Sequence, residues 1–406
     1  MKVLLVTNQY IDIRPDGCYC NFALLGTLEN MSVLGELYIV ANQQFPDKPA
    51  AQPLNQRIDF IKRVNVKHFR PVNRNIYSFL INRKYNQKVL EDCIPNMDLV
   101  IGYARMGNGD KALRIAHKYN IPYLTFLVGC PWDTLRNHHR LLARIMAPIT
   151  YFSTRKTVSE SDYVHYVTKS FLQKRYPTRG KSIGCSDINL KDFNVGNLEY
   201  RKHKNLSRKK NDVIKLVTTA NVDVRYKGQE FVIKAIAKLK NEGESRYHYY
   251  LIGAGKGKYL YDLSVQLGVQ DHIHFVGRKT TEEVMQILKE SDIYLQPSIS
   301  EGLPRAVVEA MSVALPCIGF NTGGMSELLE PEFVVKQKSV DGIIQCLKSL
   351  ENVAKYENTI EYNFKNACEY EHSKLVYKIR SFFLEIRNEV ESNKDRSNEF
   401  DRKNYR

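Results

Sequence analysis

Residues Pro297 to Met311, PSISEGLPRAVVEAM, carry two glutamates in a Glu-x7-Glu spacing across a glycine and a proline. The apolar run Ile293–Gln296 reads as a strand, and Pro304 suits the first turn of a helix through Val313. A strand, a tight loop and a helix start bring the amides of Gly302 and Leu303 and the positive end of a helix dipole to one point, which is an anion site. Glu301 stands at the mouth of that loop. Glu309, more than a turn into the helix, could accept hydrogen bonds from two vicinal hydroxyls such as those of a ribose. The alternative is ordinary surface chemistry, with Glu309 pairing with Arg305 four residues earlier and Glu301 a solvated acid. A second segment, Asn221-Val-Asp-Val-Arg225-Tyr-Lys227-Gly228, sets a guanidinium and an ammonium beside another helix start. A planar fork and a point charge both suit a diphosphate. Taken alone, this segment would be a solvated basic turn. Gly323-Gly324 followed by Glu327 forms a third loop of the same kind.

Such loops need a scaffold that holds them side by side. In the first half, Val3–Thr7, Gly35–Ala41, Asp98–Gly102 and Pro122–Val128 are short apolar runs separated by helical patterns, as at Phe22–Met31 and Lys111–Tyr119, and a loop from Asn8 to Gly17 follows the first strand. The alternation restarts at Ile214–Ala220 and continues through Tyr249–Ile252, His274–Val276, Ile293–Gln296 and Cys317–Phe320, with a capping box at Thr280–Glu283. Buried strands alternating with helices imply parallel sheets covered on both faces, with ligands beyond the carboxyl ends of the strands. The expected class is α/β, two doubly wound Rossmann-like domains facing across a cleft. The expected divisions are an N-terminal domain at 1–195, a basic linker at 196–212 and a C-terminal domain at 213–365. An amphipathic helix at 366–391 and a polar, frayed tail at 392–406 complete the chain.

The 406 residues are 43% apolar and 26% charged, enough for full-sized cores, which excludes a disordered chain or a disulfide scaffold. Eight scattered cysteines show no C-x-x-C or zinc-type spacing, so a reducing cytoplasm and no structural metal are expected. No apolar run is long enough to span a membrane, and Val3 to Val6 read as a first strand rather than a signal peptide. The net charge of +16 is unevenly placed. Residues 1–200 hold 27 Lys/Arg against 16 Asp/Glu, while 213–406 hold 27 of each. A basic half joined to a neutral half suggests that one half faces something anionic, such as a lipid surface.

The segment from Ile214 to Glu330 resembles retaining glycosyltransferases of the GT-B fold, in particular glycosyltransferase family 4. The resemblance rests on the Arg225/Lys227 loop, Tyr249–Gly255, His274-Phe-Val-Gly277, Ser291-Asp292, the Glu301 to Glu309 element, Pro316, and Gly323-Gly324 to Glu327. The N-terminal half resembles the family in layout only. The resemblance implies a nucleotide-sugar donor, UDP- or GDP-linked, on the C-terminal half, an acceptor on the N-terminal half, and no metal or other cofactor. It implies that Lys227 and Arg225 hold the diphosphate and that Glu309 holds the ribose. It implies too that Glu301, with the amides of Gly302 and Leu303, holds the donor sugar and phosphate. Gly17 would let the first loop approach the phosphates, and Arg278 would flank the base. The sequence departs from the family in three places. The usual arginine five or six residues before the lysine is replaced by Val222 or Asn221. A glycine two before Pro316 is Ala314. The histidine common after the strand at Pro122–Val128 is replaced by Gly129-Cys130-Pro131-Trp132-Asp133, with His138 and His139 nearest.

Residues 52–90 hold nine Lys/Arg and one acid, Asp59, interleaved with Phe60, Phe69, Tyr77, Phe79 and Tyr85. An anionic bilayer and a lipid-linked acceptor would fit this stretch, and so would an ordinary solvated face; no motif supports nucleic acid. The resulting expectation is a cytoplasmic enzyme, peripheral on the inner face of the cell membrane. It would move a sugar with retention onto a saccharide or lipid-linked acceptor in cell-surface polysaccharide biosynthesis. The alternatives are a GT-B sugar-nucleotide epimerase and a non-catalytic sugar-nucleotide or polysaccharide scaffold.

Overall fold

The structure is a computed structural model and describes residues 1–43, 54–59, 65–70, 76–104, 107–138, 140–188, 190, 193–207, 209 and 211–404. The first sheet comprises β1 (Lys2–Arg14), β2 (Gly17–Cys20), β3 (Glu36–Gln43), β4 (Gln56–Arg57), β5 (Asn65–Phe69), β6 (Leu99–Tyr103), β7 (Tyr123–Leu127), β8 (Tyr163–Tyr166) and β9 (Lys181–Gly184). Its parallel part runs β5-β3-β1-β6-β7-β8-β9. The second sheet comprises β10 (Ile214–Thr219), β11 (Tyr247–Ile252), β12 (Ile273–Gly277), β13 (Ile293–Gln296), β14 (Cys317–Phe320) and β15 (Val334–Val335). It is parallel throughout, in the order β12-β11-β10-β13-β14-β15. The strand order reverses between β1 and β6 in the first sheet and between β10 and β13 in the second. Such reversals leave a crevice at the carboxyl ends of the strands, where ligands bind in this architecture.

Strands buried on both faces explain the unbroken apolar runs: every residue of β6, β7 and β13 is buried. The capping box forms as the sequence spacing predicts, Thr280 bonding the Glu283 amide and Glu283 reaching back. Ala314, where the resembled family has glycine, takes a left-handed φ of +54° and is fully buried. It carries a Cβ that a glycine there would lack.

Three local expectations are corrected. Residues 196–212 are not an exposed linker at their start: Gly196–Leu206 is a helix, and Arg201 is fully buried. Its guanidinium donates to the carbonyls of Ser291, Leu288 and Lys289, while Lys204 bonds the Glu290 and Ser291 carbonyls. These cations cap the carboxyl end of the helix Thr281–Glu290, so their charge is used against a helix dipole and not left to solvent. The loop expected at Asn8–Gly17 is also absent. β1 continues to Arg14, and Pro15-Asp16-Gly17 turns it back into antiparallel β2. Pro-Asp-Gly between alternating residues is a turn signal, and it governs here. Finally, the tail beyond 391 is not frayed. One helix runs His372–Asn404, and Lys394 pairs with Asp98 at 2.7 Å.

That helix closes the architecture. Leu375, Ile379, Phe382, Phe383 and Ile386 are buried in a core shared with β1 and the helix Phe22–Met31. Arg380 and Arg387 donate to the Glu29 and Val33 carbonyls. The last element of the chain is thus packed on the first domain. Among the described residues, no helix is long and apolar enough to cross a membrane.

Candidate active site

The loops after β10 and β13 meet at the reversal of strand order in the second sheet. Between them, the Lys227 ammonium lies 2.7 Å from Glu301 Oε1. Gln296 Nε2 donates to the same carboxylate oxygen at 3.0 Å and to Ser298 Oγ at 2.8 Å. The Tyr294 hydroxyl donates to Gln296 Oε1 at 2.6 Å and faces the Thr219 amide at 3.4 Å. A buried polar chain therefore runs from β10 through β13 to Glu301 and fixes its carboxylate. Sequence reasoning missed Tyr294 and Gln296. Their signal was polar groups in a strand buried on both faces, where an amide or phenol must find partners.

The Gly302 and Leu303 amides have no acceptor among the described residues, as an anion site at the start of the helix Arg305–Ser312 requires. Gly302 has a further reason to be glycine: a Cβ there would lie 2.3 Å from the Val128 carbonyl oxygen of the opposite domain. Gly228, with φ +72°, packs against the Pro297 carbonyl, locking the two loops together. The Glu309 carboxylate has neither a hydrogen bond nor an ion pair among the described residues, so the Arg305–Glu309 surface pair does not form. Burial raises the Glu309 carboxyl above the usual range, and the charge of Arg305 offsets this only partly. Burial above all, and then the nearby Glu309 charge, push the Tyr294 phenol up.

Arg225 Cζ lies over the Tyr259 ring at 4.6 Å, exposed at the rim of the loop. Arg278 is exposed at the end of β12, two strands from β10. Gly17 is not brought to this site by any described contact. It sits in the β1–β2 turn, where a Cβ would lie 3.2 Å from the Arg57 guanidinium.

Across the cleft, Gly129 occupies the place facing Gly302. Beyond it the Cys130 thiol accepts from Arg175 at 3.0 Å, and Arg175 pairs with Asp133 at 2.7 Å. Burial pushes the Cys130 thiol up, so it is held as a neutral packing group. His138 bonds the Arg140 amide through Nδ1, and His139 lies outside the described residues. A cavity of about 550 Å³ opens between the domains, lined by Asp133, Arg136, Asn137 and Arg144 on one side and Ile299, Gln337 and Lys338 on the other.

Glu327 spans the same cleft. Its carboxylate accepts from the amides of Lys169 (2.6 Å), Ser170 (2.9 Å) and Phe171 (2.6 Å), which belong to the first domain. With the Ser170 hydroxyl at 3.2 Å, four donors on one charge hold the domains closed, each such bond contributing about 1.5–3 kcal/mol. Glu327→Ala is therefore expected to open the cleft. Small-angle scattering should report a larger radius of gyration with unchanged circular dichroism, and an unchanged radius would remove Glu327 as the latch.

Residues 200–367 match the family described as "Glycosyl transferases group 1". That stretch, which is most of the second domain, is similar to this family, and the fold is GT-B. The chain is similar to "Protein CapJ" of Staphylococcus aureus, 29% identical over 287 residues that cover 67% of this chain and 71% of that one. It is also similar to the Escherichia coli UDP-Gal:alpha-D-GlcNAc-diphosphoundecaprenol alpha-1,3-galactosyltransferase, 28% identical over 131 residues, 31% of this chain and 33% of the relative. In fold it resembles Anabaena Alr3699/HepE solved in complex with UDP, with a TM-score of 0.60 at 15% identity, covering 94% of this chain and 99% of that one.

Proposed function

We propose that the protein moves a sugar, with retention of configuration, from a UDP-sugar to a lipid-linked saccharide in the assembly of a cell-surface polysaccharide. The observation that carries this reading is the pairing of Lys227 with Glu301 beside two acceptor-free amides at the strand-order reversal. UDP in the fold relative HepE, and UDP-Gal with a diphosphoundecaprenol acceptor in the name of the E. coli relative, favour UDP over GDP and a lipid carrier. A bound diphosphate would draw Lys227 from Glu301 and take the Gly302 and Leu303 amides, with Arg225 at the rim. Glu309 would accept from the ribose hydroxyls and Arg278 would flank the base. As the sugar–phosphate bond breaks, the charge growing on the leaving diphosphate is met by groups already in position. The acceptor hydroxyl would enter from the Gly129 side, on the face of the leaving group.

Incubation with labelled UDP- and GDP-sugars, with and without a polyprenyl-diphosphate saccharide, tests this. Label on the lipid acceptor supports it. Epimerised nucleotide sugar, or binding without turnover, would favour the epimerase or the scaffold.

The diphosphate-facing groups are cations and amides, which neutralise phosphate without a bridging ion. Turnover is therefore expected to survive EDTA. Loss in chelator with recovery on adding Mg²⁺ or Mn²⁺ would show that the phosphates are held otherwise.

A further inference from the structure

The helix Leu141–Ser159 is packed inside out. The side chains it turns toward the protein are Ala147, Thr150, Thr154, Thr157 and Val158. Those it turns to solvent include Leu141, Leu142, Ile145, Met146, Ile149 and Phe152, which are 41–71% exposed. At about 3.6 residues per turn these six fall within an arc of roughly 140°. Single exposed apolar residues are common, but a continuous row of large ones marks a surface that meets another apolar phase. The hydrophobic effect would have turned this helix over if water were its only surroundings.

Charge identifies the occupant. No acidic residue lies between Leu141 and Ser159. Arg140, Arg144 and Arg155 are exposed beside the row, with no carboxylate at ion-pair distance among the described residues. Lys156 is only 3.8 Å from Glu160. An apolar stripe flanked by exposed cations, three of them without a carboxylate partner among the described residues, suits an interfacial helix on anionic lipid. A second copy of the chain would bring these arginines against their own counterparts, which is unfavourable. The stretch 52–90 supplies field but a poorer surface. Phe69 is buried, and the exposed Tyr85 ring carries the Arg70 guanidinium at 4.0 Å, so it offers no bare apolar face. Phe60, Lys62, Arg63 and Arg74 and the side chains of Tyr77 and Phe79 lie outside the described residues.

We propose that the exposed face from Leu141 to Phe152 lies in the interface of an anionic bilayer. The position also suits the reading of a lipid-linked acceptor, on which this last step rests. Arg144 belongs both to this helix and to the lining of the cavity between the domains. A headgroup-level saccharide would therefore meet the cleft from the membrane side.

The test is flotation of the full chain with vesicles of phosphatidylcholine containing phosphatidylglycerol, and with vesicles of phosphatidylcholine alone, at low and high salt. The wild type is expected to float with the anionic vesicles, less so at high salt. The combined variant Leu141→Gln, Ile145→Gln, Ile149→Gln, Phe152→Gln should partition more than about tenfold less, because the apolar area that enters the lipid is gone. Its UDP affinity should be unchanged, which also checks that it is folded. Arg155→Glu with Lys156→Glu, leaving the apolar row intact, should abolish the preference for anionic vesicles. Flotation of all three proteins alike, no flotation of the wild type, or a wild-type dimer that the glutamine variant splits into monomers in light scattering would overturn the proposal. Transfer to a lipid acceptor without flotation would sink this surface and leave the transferase reading standing. Flotation without any transfer would do the reverse.

Discussion

Lys227→Met is expected to lower kcat/KM for sugar transfer by roughly 10²–10³-fold, the usual cost of losing one preorganised group that stabilises charge in the transition state. Lys227 stands inside the candidate site, 2.7 Å from Glu301, at the end of the buried chain that begins at Tyr294. Its charge is only partly solvated, so it acts on a leaving diphosphate more strongly than an exposed one would. Arg225→Met should cost far less. Its guanidinium already rests over Tyr259 at 4.6 Å, exposed at the rim. Steady-state transfer from a labelled UDP-sugar distinguishes the two. Similar small losses for both variants would mean that the diphosphate is neutralised elsewhere. Gln296→Leu should fall between them, because it touches Glu301 and not the phosphates. Rescue by Gln296→Asn would mark Gln296 as a positioning residue.

Glu309→Ala should weaken UDP binding by roughly ten- to a hundredfold, and Arg305→Ala by less than about fivefold. A charge-assisted hydrogen bond contributes about 1.5–3 kcal/mol and an exposed ion pair about 0–1 kcal/mol. The structure favours the first description, since Glu309 makes no ion pair with Arg305 among the described residues. The raised Glu309 carboxyl adds two consequences of known sign. Donated hydrogen bonds favour the ionised form, so UDP affinity should fall as pH drops through the raised value, by at most about tenfold per pH unit. In the empty protein the same shift disfavours folding once the group is ionised. That cost is absent below the unfolded value and complete above the folded one. Glu309→Gln should therefore raise the apo melting temperature at neutral pH, with no gain at acid pH, while weakening UDP binding. Calorimetric titration of UDP and thermal unfolding across pH check both. A variant that neither gains stability nor loses affinity would return Glu309 to the surface.

The second sheet and its loops were legible because their information is local. Ile214–Ala220 and Ile293–Gln296 are apolar runs of strand length bounded by turn residues. A parallel sheet puts the residues that follow such strands at one edge, and this is enough to bring Lys227 toward Glu301. The Thr280–Glu283 box and the 3.6-residue period of Leu375, Ile379, Phe382 and Phe383 are likewise written within a few residues. The partners of those elements were not. That the last helix belongs to the first domain depends on contacts across more than 300 positions, such as Arg387 with Val33. Arg201 looked like a solvated charge because nothing near it in sequence is apolar. Its partners are three carbonyls about ninety residues away, and only the packed structure supplies them. Gly17 was not legible for a related reason: a glycine after a first strand suits a phosphate loop or a hairpin equally, and the pairing of β1 with β2 sets it in a hairpin turn. The inverted helix at Leu141–Ser159 is the sharpest case. Its sequence is amphipathic in either orientation, so which face is inside depended on what the first domain offered it. Periodicity determines that a helix has two faces, and tertiary packing alone determines which of them is left for a partner.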